Sequence, residues 1–113
     1  MTDLNYAWEK FFTGLDSLAT GEGTLRERLK SAYTSQINRA EDWSGSSIDP
    51  ELGEMVKRFH ARMRTVDNPG DGRGIYSASI DAMSDEEVST AAQELFSIAL
   101  RLHELHALQY ADR

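Results

Sequence analysis

The spacing of apolar residues constrains this chain most, because through most of it they recur every three or four positions. That period places apolar side chains on one face of an α-helix, whereas a half-buried strand shows strict alternation. No run alternates in this way, and β-branched residues are sparse. The pattern predicts an all-α fold: four main helices in a compact bundle, with a short extra helix before the last one. A chain of 113 residues fits a single helical domain over 1–113.

Capping and helix-breaking residues divide the chain into separate helices. Thr24 and Glu27 have the spacing of a capping box, in which each side chain bonds the backbone N–H of the other residue, and Ser84 and Glu87 repeat it. Gly14 lies inside the first helix, where glycine costs about 1 kcal/mol relative to alanine, and it indicates a close approach by another helix. The helices are predicted at 3–20, 24–40, 50–66, 75–83 and about 85–110.

The last helix carries two adjacent apolar stripes rather than one. The first stripe contains Val88, Ala91, Leu95, Ile98, Leu102 and Leu105. The second contains Ala92, Phe96, Ala99, His103, His106 and Tyr110. Two stripes cover a broad arc of the helix surface, so this helix is expected either to contact several neighbours or to expose one stripe to a second copy of the protein.

The absence of cysteine excludes several classes of protein. It leaves no disulfide framework, no cysteine-based zinc finger, no iron–sulfur site and no cysteine nucleophile. No apolar stretch is long enough for a transmembrane helix, and the N-terminus lacks the basic and apolar regions of a secretory signal. We therefore expect no membrane partner and a cytoplasmic location.

Three histidines are the candidates for metal ligands: His60, His103 and His106. The His-x-x-His spacing of the last two lacks the glutamate and the four-residue step of the H-E-x-x-H zincins. Histidines favoured by the helix dipole in the last turns explain the pair better, so we expect no metal and no cofactor. The Gly-rich segment 67–74 departs from a calcium loop, and an inter-helix loop explains it better than an anion site assisted by Arg73.

The remaining chemistry gives little support for an enzyme, because neither a G-x-S-x-G motif nor a Ser/His/Asp arrangement is found. The net charge of −7 disfavours nucleic acid. The leading hypothesis is a non-enzymatic protein–protein interaction module, whose partner is another protein or a second copy of the chain in a homodimer. The candidate contact residues are Trp43 (if it proves exposed), Arg73, Phe96 and Tyr110.

Three alternatives stay open. Residues 75–113 carry a net charge of −5, which suits a small acidic inhibitor or immunity-type protein that binds a basic partner. A binder of metal or a small ligand that uses the three histidines is the second alternative. An RNA-binding protein is the third, and its contacts would be Arg26, Arg28, Lys57, Arg58 and Arg62.

Three stretches of the chain resemble small bacterial helical proteins of unknown function. They are residues 17–33 (SLATGEGTLRERLKSAY), 74–80 (GIYSASI) and 83–87 (MSDEE). With the segment from Trp8 to Phe12, the similarity covers most of the chain. The resemblance implies a bacterial, cytoplasmic, stand-alone domain, and it carries no activity, cofactor or active-site residue.

Overall fold

The computed structural model describes residues 3–45, 48–67, 70 and 72–111, except for the side chains of residues 110 and 111. Within these residues the fold is all-α, as predicted, with five α-helices and no strand. The helices are α1 (Leu4–Thr20), α2 (Leu25–Ser35), α3 (Pro50–Arg62), α4 (Ile75–Asp81) and α5 (Asp85–Ala111), and a 3₁₀ turn spans Ile37–Ala40. The short helix α4 confirms the prediction of an extra helix before the last one.

Both predicted capping boxes form. The Thr24 side chain accepts a hydrogen bond from the Glu27 N–H, and the Glu27 carboxylate accepts one from the Thr24 N–H. Ser84 and Glu87 make the same reciprocal pair, with both distances at 3.1 Å. These side chains satisfy backbone N–H groups that the first turn of a helix leaves without a partner. Local sequence therefore sets where α2 and α5 begin.

The predicted ends of the second and third helices are wrong. Helix α2 ends at Ser35 instead of Ala40, and the chain then forms the 3₁₀ turn. The reason is tertiary: a Cβ atom on Gly14 of α1 would lie 2.5 Å from Cδ1 of Ile37, so Ile37 packs onto a site that only glycine leaves open. Gly14 thus marks the close approach that its position predicts.

Helix α3 ends at Arg62, and Val66 lies beyond it, only partly buried. The N–H of Val66 donates to Oγ of Ser79 on α4 at 3.0 Å. That bond replaces the helical one the segment would otherwise make, because buried backbone N–H groups need an acceptor. Packing against α4 therefore takes this segment out of the helix.

Two ion pairs show how α3 lies against α5. Asp49, which caps the start of α3, accepts from Nε of Arg101 at 2.8 Å. Near the other end, Nε of Arg62 donates to Glu94 at 2.6 Å. Sequence numbers rise along one helix as they fall along the other, so α3 and α5 are antiparallel.

The first stripe of α5 lies in the core, as predicted. Val88, Ala91, Leu95, Ile98 and Leu102 are buried, and Leu105 is partly buried. At 1.5 Å per residue, the 27 residues of α5 extend about 40 Å. The molecule is accordingly elongated, with principal extents of 50 × 27 × 22 Å. In the described part of the chain, no helix combines the length and the apolar character needed to cross a bilayer.

Candidate functional site

A cleft with a volume of about 520 Å³ lies between α3 and the segment that precedes it. We call it the His60 cleft. Its lining residues are Glu41, Trp43, Ser44, Gly53, Glu54, Val56, Lys57, His60, Ala61 and Arg64. Most of them come from one face of α3, where Gly53, Lys57 and His60 recur at three- and four-residue intervals.

His60 is the most deeply buried polar residue of the cleft, with only 6% of its surface exposed. Its Nδ1 lies 2.7 Å from the hydroxyl oxygen of Tyr33 on α2. Its Nε2 is also buried and has no hydrogen-bond partner in the described part of the chain. Burial lowers the pKa of His60 to about 4, because the charged imidazolium loses its hydration, so the ring is neutral at pH 7.

The hydrogen of the Tyr33 hydroxyl decides which nitrogen of His60 is protonated. Burial raises the pKa of Tyr33, with the neighbouring Tyr76 adding to the effect, so the phenol keeps its proton. If Nδ1 donated to Tyr33, the buried phenol hydrogen and the Nε2 lone pair would both lack partners. If Tyr33 donates to Nδ1, only the Nε2–H lacks one. The second arrangement leaves fewer buried polar groups unsatisfied, and we assign it.

The charges around the cleft are partly paired. Tyr76 donates to Oε2 of Glu41 at 2.7 Å, and the guanidinium of Arg64 forms an ion pair with the other carboxylate oxygen. These contacts engage both oxygens of Glu41. Lys57 and Glu54, in contrast, form no ion pair with any described residue. The cleft therefore offers one cation and one carboxylate that have no ion-pair partner among the described residues.

The second feature is an aromatic cluster between the first half of α1 and the last third of α5. The indole of Trp8 stacks on His106, with ring centroids 3.8 Å apart and planes 8° from parallel. Its Nε1 donates to Nδ1 of His103 at 3.2 Å. The ring of Phe12 lies 5.4 Å from that of His103. Trp8 therefore fixes the positions of both histidines on α5.

An exposed apolar surface continues from this cluster along α5. Phe96 is 54% exposed and Leu100 is 47% exposed, and Phe12 of α1 is also exposed. Between residues 88 and 100, the exposed positions of α5 are Gln93, Phe96, Ser97 and Leu100, and none of them is charged. We call Phe12, Gln93, Phe96, Ser97 and Leu100 the α1–α5 face.

The three histidines predicted as metal candidates do not form one cluster. His60 lies on α3 against Tyr33, whereas His103 and His106 lie on α5 against Trp8. Among residues 3–45, 48–67, 70 and 72–111, no three histidine or carboxylate side chains come close enough to hold a metal ion. Among these described residues, the three histidines therefore do not share one site.

The predicted contact residues differ in their exposure and in their partners. Trp43 is buried, so the prediction that it is a contact residue if exposed does not apply. Only 7% of its surface is exposed, because its ring packs in the wall of the cleft. Arg73 donates to Oδ2 of Asp81 at 2.8 Å and so ties the loop to α4. Phe96 is exposed. The side chain of Tyr110 lies outside the described residues.

Several basic residues pair with acidic residues from the second half of the chain. Arg26 donates to the carbonyl of Ile80 at 2.6 Å and pairs with Asp85 at 3.0 Å. Lys30 pairs with Asp81 at 2.7 Å. Of the five basic residues predicted as RNA contacts, Arg26, Arg58 and Arg62 pair with the acidic residues Asp85 and Glu94, whereas Lys57 does not pair with a described residue. The RNA-binding alternative and the acidic-inhibitor alternative each lose part of the charged surface that motivated them.

Sequence reasoning missed the pairing of Tyr33 with His60. The sequence predicts His60 only as a metal candidate, and Tyr33 lies within the predicted second helix with nothing that relates it to His60. One signal was present, because His60 follows the apolar stripe of α3, four residues after Val56 and one after Phe59. A histidine in that position is placed to be buried, but no spacing in the sequence names its partner on α2.

Comparison with known proteins gives no family assignment. No family model matches the chain, and no curated protein or solved structure matches it either. The resemblance to small bacterial helical proteins therefore stays an expectation.

Proposed function

We propose that this protein is a non-enzymatic interaction module that forms a homodimer through the α1–α5 face. The observation that carries the proposal is the exposed and uncharged apolar surface around Phe96 and Leu100. The proposal includes a compact bundle of the four longer helices in each protomer and a cytoplasmic location.

The exposed side of a surface helix is normally rich in charged residues. Between residues 88 and 100, α5 contains a single charged residue, Glu94, and it faces α3 through its ion pair with Arg62. Protein interfaces are depleted in charge at their centres and enriched in aromatic residues, as this surface is with Phe12 and Phe96. Its composition therefore suits contact with another protein surface better than contact with water.

The net charge favours a second copy of this chain as the partner. Two molecules of charge −7 repel each other, and the repulsion is weakest where two uncharged surfaces meet. In a two-fold dimer the same patch lies on both sides of the interface, so a neutral patch is complementary to itself. The α1–α5 face meets this requirement.

Light scattering of the purified protein over a range of concentrations tests the proposal. We expect a mass of twice 12.7 kDa for the unmodified chain and of 12.7 kDa for Phe96→Glu or Leu100→Glu. Gln109→Glu is the matched control, since Gln109 is also exposed on this helix and lies about 120–180° around the helix axis from the α5 residues of the face. The mass of a monomer for the unmodified chain at millimolar concentration would refute the proposal. A dimer that persists in the Phe96→Glu variant would refute it as well.

Salt distinguishes the dimer from the second candidate, a small acidic inhibitor of a basic partner. Glu86, which is exposed and unpaired within the described residues at the start of α5, favours that candidate. Raising the ionic strength screens repulsion between like-charged copies and strengthens the dimer. The same change weakens the complex of an acidic inhibitor with a basic protein. Binding measured at low and high salt therefore gives opposite trends for the two candidates.

A further inference from the structure

The outer side of α5 has a seven-residue repeat, which is the period of a helix that packs lengthwise against another helix. Two sets of residues recur at this interval: Gln93, Leu100 and Ala107, and Ser89, Phe96 and His103. We call these six residues the α5 seam. All are exposed except Ser89, which is partly buried, and none is a carboxylate, lysine or arginine. The seam therefore extends the α1–α5 face along most of the helix.

The α5 seam is symmetric in sequence about Ile98. Its large apolar residues, Phe96 and Leu100, lie two positions on either side of this point, and its polar residues, Gln93 and His103, lie five positions on either side. When two α5 helices cross antiparallel at this level, each residue meets the residue at its mirror position. Phe96 then packs on Leu100 of the partner subunit, and Gln93 meets His103 of the partner subunit. One two-fold axis therefore matches apolar with apolar and polar with polar.

The contact between His103 and Trp8 leaves a hydrogen-bond donor for the partner subunit. Nδ1 of His103 accepts the indole N–H of Trp8 at 3.2 Å, so the neutral ring carries its hydrogen on Nε2. His103 is exposed, and no described residue accepts a hydrogen bond from its Nε2. The amide oxygen of Gln93 is an acceptor of the kind that this N–H needs.

Charge favours antiparallel over parallel packing of the two helices. Glu86 and Glu104 are exposed on the same side of α5 as the seam. In a parallel pair each of these carboxylates meets its own copy, and like charges at matched positions oppose that orientation. In the antiparallel pair their mirror positions are Tyr110 and Ala92, which carry no charge at neutral pH. Opposed helix dipoles favour the antiparallel pair as well.

We propose that the two α5 helices of the dimer pack antiparallel and cross at the level of Ile98, and that Nε2 of each His103 donates a hydrogen bond to Gln93 of the partner subunit. This inference rests on the dimer of the proposed function. It adds the orientation of the subunits, the position of the two-fold axis and the polar contacts that flank the apolar centre.

Disulfide formation between single-cysteine variants tests the arrangement, because the chain has no cysteine of its own. Ser89→Cys and Ala107→Cys occupy mirror positions of the seam and change side-chain size little. In the antiparallel dimer each cysteine lies about 27 Å along the helix axis from its own copy, whereas a disulfide needs Cα atoms within about 7 Å. We expect each variant alone to stay unlinked under mild oxidation. An equimolar mixture forms a disulfide between positions 89 and 107, which peptide mass spectrometry identifies.

The possible outcomes separate this inference from the dimer itself. If either variant alone cross-links as readily as the mixture, the helices are parallel and the inference is overturned. It is overturned as well if the mixture stays unlinked while light scattering shows dimers, and the dimer then stands. Monomers in light scattering refute the proposed function and this inference together. Phe96→Glu added to both cysteine variants is the matched control, and we expect it to abolish the cross-link.

The dissociation constants of Gln93→Ala, His103→Ala and the double variant test the hydrogen bond. Each single substitution removes both copies of the bond from the dimer, so we expect each to weaken the dimer about tenfold. The double variant is expected to be little weaker than either single variant, because the second substitution has no bond left to break. The loss of the Trp8 contact in His103→Ala occurs in both backgrounds and cancels. Effects that simply multiply would overturn the proposed contact.

Discussion

The buried histidine makes a quantitative prediction about stability and pH. In the unfolded chain His60 has the ordinary pKa of 6.5, and in the folded protein burial lowers that pKa to about 4. The folded state therefore resists protonation that the unfolded state accepts. Stability contributed by the neutral ring is complete above pH 6.5 and is lost as the pH falls from 6.5 toward 4.

The size of the effect follows from the two pKa values. Each unit of difference corresponds to about 1.4 kcal/mol, so the free energy of unfolding falls by about 3 kcal/mol once the pH is below 4. Between pH 7 and pH 5 the expected loss is about 2 kcal/mol. For a chain of this size that is a large part of a typical total stability of about 5–15 kcal/mol.

Carboxylates whose pKa is lowered in the folded protein act at lower pH than His60. Glu41, which lines the same cleft, is paired with Arg64 and accepts a hydrogen bond from Tyr76. Hydrogen bonds and ion pairs lower the pKa of Asp49, through Arg101 first, and that of Asp81, through Lys30 first. These carboxylates lose their stabilising charge only below their ordinary pKa range. The loss between pH 7 and pH 5 is therefore specific to histidine.

Urea denaturation at pH 7, 6 and 5 measures the effect, with His60→Asn and His103→Asn as the pair of variants. We expect the unmodified protein and His103→Asn to lose about 2 kcal/mol between pH 7 and pH 5, and His60→Asn to lose much less. The comparison uses the change with pH, so any constant cost of the substitution cancels. Parallel curves for His60→Asn and the unmodified protein would show that His60 titrates normally and is not buried in its neutral form.

Three substitutions test the packing and capping of the helices, each by denaturant unfolding. Leu95→Ala removes a fully buried side chain of α5 and should cost about 2–5 kcal/mol. Ser84→Ala removes the acceptor for the Glu87 N–H and should cost about 1 kcal/mol, whereas no loss would mean that the cap adds nothing to stability. Gly14→Ala places a methyl group against Ile37 and should cost about 1–3 kcal/mol, less the gain of about 1 kcal/mol in helix propensity. Adding Ile37→Val should recover part of that loss, and strictly additive effects would contradict the close contact.

The features that could be read from the sequence depend on residues close together in the chain. The all-α class follows from apolar spacing over three or four residues, and the capping boxes at Thr24 and Ser84 involve residues three apart. The buried stripe of α5 from Val88 to Leu102 was identified by the same periodicity. Helix geometry is regular, so a pattern of this length predicts which side of a helix is apolar without knowledge of its neighbours.

The candidate sites required the tertiary structure. Tyr33 and His60 are 27 positions apart, and Trp8 and His103 are 95 apart, so no local pattern relates them. The burial of Trp43 depends on the same long-range packing. Sequence placed Phe96 on the second stripe of α5, but only the position of α1 against that helix decides that it is exposed.

The difference between what the sequence predicts and what the tertiary structure decides has one physical cause. Backbone hydrogen bonds and caps form within a single turn, so the chain itself determines that it makes helices and where most of them begin. Where α2 and α3 end, and which polar groups are buried together, depends on which surfaces pack against each other. Ile37 leaves the helix to pack on Gly14. His60 is neutral because the packed helices bury it, and Tyr33 of α2 lies against its Nδ1. Such contacts are decided by the packed fold alone.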